Sequence, residues 1–130
     1  MTALLLIDLP LTPDAPVAWL HWDKERASVI AEGVLANVGE LASLADRAEG
    51  QACYVLISGE VVSAHRVVLP KGGRVGLSAL PFQLEDKLCS DLDSVHIATG
   101  TIKANQAADV LILSRDLAAY CLDVLRNSGL

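Results

Sequence analysis

Apolar and polar positions alternate, cluster and then space out along this chain in a way that predicts short strands first and helices between and after them. Leu4 to Leu9 is an apolar run closed by Pro10, and the TPDAP stretch behind it is turn chemistry, so the run reads as a buried first strand. From Val17 to Asp23 the residues alternate, with Val17, Trp19 and His21 on one side and Ala18, Leu20 and Trp22 on the other. Ser28 to Leu35 repeats the pattern after the polar DKER turn, which predicts two antiparallel neighbours. Gly39 to Glu49 changes period: Leu41, Leu44, Ala45 and Ala48 share a helical face, and Gly50 supplies a left-handed stop. The nearly continuous apolar run Cys53 to Ile57 then predicts a strand covered on both faces and reached by a crossover.

Ser58-Gly59 makes a turn, Val61 to Leu69 another strand, and the LPKGGR stretch ends it. Leu77, Leu80, Leu84 and Leu88 recur every three or four residues, which predicts a helix over Leu77 to Leu88 with Pro81 in an early, tolerated position, or with a kink at Pro81 as the alternative. Val95 to Thr101 reads as a strand and Lys103 to Gln106 as a loop. Val110 to Leu113 is a buried type of strand, and Ser114 can cap a helix whose apolar face is Leu117, Tyr120, Cys121, Val124 and Leu125. The expected class is α/β with a mixed sheet: β-β-β-α-β, an inserted β-α-β element and a final β-α unit.

Composition sharpens the picture. A chain of 130 residues that is 52% hydrophobic has material for one buried core. Ten basic against sixteen acidic side chains give a net charge of -6, which disfavours nucleic acid and anionic membrane surfaces and favours a basic partner. Cys53, Cys89 and Cys121 have no CxxC spacing and read as reduced thiols in a cytosolic compartment. The opening stretch has neither the basic flank of a signal peptide nor the length of a membrane span.

Catalytic motifs do not emerge. His21, His65 and His96 are far apart and outside HExxH spacing, so they read as ordinary strand histidines. GxGxxG, GxxxxGK[ST] and GxSxG are all missing, which gives no support to a nucleotide cofactor or a serine nucleophile. Gly72-Gly73 between Lys71 and Arg74 reads as a solvated turn, with an anion cradle as the alternative. Trp19 and Trp22 read as packing residues, one in the core and one under a helix or at the sheet rim, with an interface role for one as the alternative.

The acids at and beyond the end of the second predicted helix carry the clearest candidate function. Glu85 and Asp86 are adjacent, so on a helix they diverge by about 100 degrees and do not bracket one bond. Asp91 and Asp93 fall in a loop. A solvated acidic surface is one reading of these four and a protein-docking patch the other.

Several stretches together resemble the N-terminal cytoplasmic region of the type II secretion system protein L family. They are VAWLHWD at Val17 to Asp23, GELASLADRAEG at Gly39 to Gly50, VLISGEVVSAHRVVLP at Val55 to Pro70 and, most specific, ALPFQLEDKLCSDLDSVHIATG at Ala79 to Gly100. The resemblance implies a ribonuclease H-like, actin-like subdomain over 1–130, cut from a longer cytoplasmic region, with 58–105 as an inserted element. It implies a non-catalytic scaffold that recruits the cytoplasmic secretion ATPase to the bacterial inner membrane by binding its N-terminal region, without a catalytic, metal or cofactor residue. Other inner-membrane secretion components and a second copy of the chain are further partners it suggests, while the membrane span would lie outside these residues. Glu85, Asp86, Asp91 and Asp93 are then the partner-binding residues to test. An actin-fold nucleotide switch or ATPase is the alternative, although Asp8 is followed by Leu9, Pro10 and Leu11 rather than by a glycine-rich phosphate loop.

Overall fold

The computed structural model describes residues 3–88 and 91–130. Among them, seven strands form two sheets, one in each of two compact units. The first unit holds the residues up to Ser58 together with Tyr120–Leu130, and the second holds Gly59–Ala119.

In the first unit β1 (Ala3–Asp8) pairs antiparallel with β2 (Val17–Asp23), which pairs antiparallel with β3 (Ser28–Leu35). Alternation along β1 puts Leu5 and Ile7 wholly out of water on one face, opposite His21 and Trp19 of β2. The DKER turn works because the Asp23 carboxylate accepts the Glu25 and Arg26 amides at 3.0 and 3.1 Å, and Ala27 takes a positive φ of 49°. The predicted helix begins as a 3-10 helix over Val38–Leu44, and only Ala45–Ala48 (α1) is α-helical. Its buried side chains, Leu41 and Leu44, are three residues apart, the repeat that a 3-10 helix brings to one face. Asn37 Oδ1 accepts from Gly39 N, and Glu40 reaches back to accept from Ala36 N at 3.0 Å, so the start is capped from both sides.

β4 (Ala52–Leu56) then returns parallel to β1, as a crossover requires. It lies at the sheet edge, in the order β3-β2-β1-β4, with Tyr54 and Leu56 each 52% exposed. Its continuous apolar run therefore does not signal a strand covered on both faces.

In the second unit β5 (Ser63–Val68) and β6 (Val95–Thr99) flank β7 (Ala107–Ser114), all antiparallel. Val67, Val110, Ile112 and Val95 share the face that packs with Leu80 and Leu84 of α2 (Gly73–Leu84). The opposite face carries exposed Val68 and Leu111 and the Arg66–Asp109 ion pair at 3.1 Å.

α2 starts four residues earlier than Leu77, which changes its buried face. Gly76, Leu80 and Leu84 line that face, four residues apart, while Leu77 is 49% exposed. Pro81 consequently lies in the helix interior, where its missing N–H leaves the Leu77 carbonyl without its usual helical donor. Gly76 is required by contact, since a Cβ there would run into the Lys71 carbonyl. Gly72 is equally hemmed in, with a Cβ falling 2.7 Å from the Ile102 carbonyl, and Gly73 takes φ 61° while its N–H bonds that same carbonyl at 3.0 Å. The glycine pair thus seats the start of α2 against the Ile102 loop, and the Gly73 amide an anion would need is already donated. α3 (Arg115–Asn127) ends the chain, with Ser114 Oγ accepting from Leu117 N at 3.4 Å as a helix cap and Cys121 buried.

Candidate docking site

Leu84, fully buried, ends α2, and Leu88 packs half-buried against the same core cluster. Between these two anchors Glu85–Lys87 tighten into a 3-10 turn, closed by Leu88 N donating to Glu85 O at 3.4 Å. Glu85 and Asp86 are therefore exposed acids on a turn held at both ends. Asp91 precedes a second 3-10 turn, Leu92–Ser94, that contains Asp93. Its backbone carbonyl accepts both Ser94 N at 3.0 Å and Ser94 Oγ at 2.7 Å, and buried Val95 then opens β6. All four carboxylates are exposed, and among the described residues none accepts a hydrogen bond or an ion pair. Cys89 lies outside the described residues.

The two acidic segments wall one pocket of about 510 Å³ in the second unit: Lys87 and Leu88 come from the first turn, Ser94 and Val95 from the second. Its position follows from the sheet. On the β5-β7-β6 face that packs with α2, Ser63 pairs with Ile112 and Val95 with Ser114, and these four line the pocket next to the core cluster that Ile112 and Val95 share with Leu80 and Leu84. Glu60, His65 and Asp116 complete the polar lining, with His65 Nε2 3.2 Å from Ser63 Oγ. Arg115 stands beside this lining and donates to Val95 O at 3.3 Å. Neither Glu60 nor the Ser63–Ile112 pairing is singled out by any spacing in the sequence.

The remaining polar chemistry is structural. His21, 7% exposed, holds Gln51 Oε1 at 2.7 Å through Nε2, and Arg47 Nη1 approaches its Nδ1 at 3.5 Å. Both ring nitrogens of His21 thus have a polar neighbour inside the first unit. Arg47 also lies over the Trp19 ring, 5.0 Å from its centroid. His65 and His96 sit on opposite faces of the second sheet, since their β7 partners, Val110 and Leu113, have opposite parity. Cys53 and Cys121 are free thiols, each made less acidic by burial. Among the described residues no group of three or more His, Cys, Asp or Glu could hold a metal ion, and no helix is long and apolar enough to cross a membrane.

Comparison with solved structures defines the class first. A protein of unknown function from Bacteroides thetaiotaomicron with an actin-like ATPase fold superposes with a TM-score of 0.50 at 8% identity, over 95% of this chain and 49% of that one. The cytoplasmic domain of EpsL, an inner membrane component of the type II secretion system of Vibrio cholerae, superposes with a TM-score of 0.78 at 30% identity, over 98% of this chain and 53% of that one. The fold is α/β and actin-like, with one mixed and one antiparallel sheet. The family model described as type II secretion system (T2SS), protein L matches residues 5–130, and the chain belongs to that family. Type II secretion system protein L of Vibrio cholerae serotype O1 is 30% identical over 126 residues, covering 96% of this chain and 31% of that protein. The chain thus spans about a third of that relative, and family membership makes it a component of the type II secretion machinery.

Proposed function

We propose that this domain is a non-catalytic adaptor at the cytoplasmic face of the inner membrane, holding the secretion ATPase there through its N-terminal region by charge-assisted docking on Glu85, Asp86, Asp91 and Asp93. The observation that carries the docking surface is that these four exposed carboxylates accept nothing among the described residues while the turns bearing them are anchored by Leu84, Leu88 and Val95. Acids held in place but unpaired can meet arginine or lysine without first breaking an internal contact. Other inner-membrane secretion components and a second copy of the chain are further partners of the same machinery. The chain is read as part of a longer cytoplasmic region, with 58–105 as its inserted element.

A non-catalytic role is supported at the end of β1, where an actin-fold ATPase would need free amides for phosphate. Leu9 is buried there, its N–H donates to Leu56 O at 3.0 Å, and Pro10 has no N–H to offer. Titration of the ATPase N-terminal region against single charge reversals of the four acids, at two salt concentrations, tests the adaptor reading. Reversals should weaken binding and flatten its salt dependence; equal affinity for all four, with the fold intact, sinks the patch. Calorimetry with adenosine triphosphate and magnesium is expected to give no isotherm, and a one-site isotherm would replace the adaptor with a nucleotide-responsive switch.

A further inference from the structure

The pocket beside the acids is apolar where the acids are not. Val61, Val62, Leu88, Val95 and Ile112 contribute its apolar lining, and a volume of about 510 Å³ is within the range that holds a small ligand or one large side chain with its neighbours. Around this interior, counting lining residues and those within two positions of them, five carboxylates (Glu60, Glu85, Asp86, Asp93 and Asp116) stand against three cations (Arg66, Lys87 and Arg115). Of the three cations, Arg66 is paired with Asp109 at 3.1 Å and Arg115 donates to the Val95 carbonyl, which leaves Lys87.

Resting on the docking reading above, we propose that this pocket receives a short segment of a partner protein in which one large aliphatic side chain is flanked on both sides by arginine or lysine. The aliphatic group enters the pocket at the Ser63–Ile112 and Val95–Ser114 end of the β5-β7-β6 face, and the flanking bases meet the acidic turns. Burial of the anchor supplies affinity that salt does not screen, and the bases supply orientation. Lys87 on the wall disfavours an unbroken basic run, so the fit is to a mixed segment with its apolar residue opposite that lysine.

Calorimetry with the 130-residue chain and acetylated synthetic peptides tests this. The probes are Arg-Arg-Leu-Gln-Arg, the same peptide with alanine for leucine, and the same with glutamate for each arginine. The leucine peptide should bind at least about tenfold more tightly than the alanine peptide, the ratio expected for burying about two of the three carbons that leucine adds, and the glutamate peptide should not bind. Ser63→Trp places an indole in the pocket from the first residue of an edge strand and should abolish binding with the circular dichroism unchanged. Lys87→Glu on the exposed turn carries no folding risk of that kind and should tighten the basic peptide about threefold. Equal affinity of the leucine and alanine peptides, no binding of the leucine peptide, or no gain from Lys87→Glu overturns the proposal. The two readings fail separately. Peptide binding without ATPase binding leaves the pocket standing and removes the ATPase; undiminished ATPase binding by folded Ser63→Trp removes the pocket and leaves the adaptor.

Discussion

Two regions of this molecule handle polar side chains in opposite ways. In the first unit His21 lies in the sheet interior with both ring nitrogens engaged, Gln51 on one and Arg47 on the other, and Arg47 covers Trp19 as well. In the second unit Glu85, Asp86, Asp91 and Asp93 stand on anchored turns with their carboxylates accepting nothing among the described residues. A polar group whose bonds are all made internally holds the fold together and has nothing left for a partner; a polar group fixed in position but unbonded is inexpensive to the fold and free to bind. The difference separates residues for stability from residues for recognition, and it can be tested by substitution.

The largest effect is expected where the acidic turn is anchored. Leu84→Ala, at a fully buried site, should cost about 2–5 kcal/mol in urea unfolding, and a loss under 1 kcal/mol would mean that the turn is not held as described. His21→Ala should cost about 1–3 kcal/mol, because it orphans the Gln51 oxygen and leaves Arg47 facing a gap. Glu85→Lys and Asp86→Lys should change stability by less than about 0.5 kcal/mol while weakening partner binding. A stability loss comparable to that of His21→Ala would erase the contrast between the two regions.

Smaller effects probe the first unit alone. Among the described residues the buried Tyr120 hydroxyl has no hydrogen-bond partner, so Tyr120→Phe should be neutral or stabilise by up to about 1 kcal/mol; a clear loss would mean that the hydroxyl is bonded. Desolvation raises the pKa of Tyr120, with the Cys121 and Asp14 charges adding to it, and also raises those of Cys53 and Cys121. The fold thus holds these protons more tightly than the unfolded chain does. Their contribution is complete below the unfolded values and is lost as pH rises through the folded ones, so the urea midpoint should decline above about pH 8.5. The decline should shrink in Cys53→Ser with Tyr120→Phe, and an identical slope in that variant would remove these groups as its cause.

The strands of the first unit are legible in the sequence because alternation, Pro10 and the DKER turn all point the same way, and the predicted β1, β2 and β3 fall within a residue or two of the observed ones. The start of α2 is not, since Gly72-Gly73 looks like the middle of a turn and the core contact at Gly76 has no side chain for a periodicity to register. The edge position of β4 is equally hidden, because an apolar run reports hydrophobicity and not which neighbours are present. At the site, the acidic run stands out by composition. The pocket does not, because Ser63, Val95 and Ile112 come from three strands that only the antiparallel register brings side by side.

Both tryptophans of the chain lie on β2, and both tyrosines, Tyr54 and Tyr120, also fall in the first unit. Gly59–Ala119 has no chromophore of its own beyond phenylalanine. Intrinsic fluorescence therefore reports on the first unit only, with Trp19 emission sensitive to the guanidinium above it. An indole introduced at Ser63 would be the only one in the second unit, so the substitution that blocks the pocket would also give that unit its own optical signal.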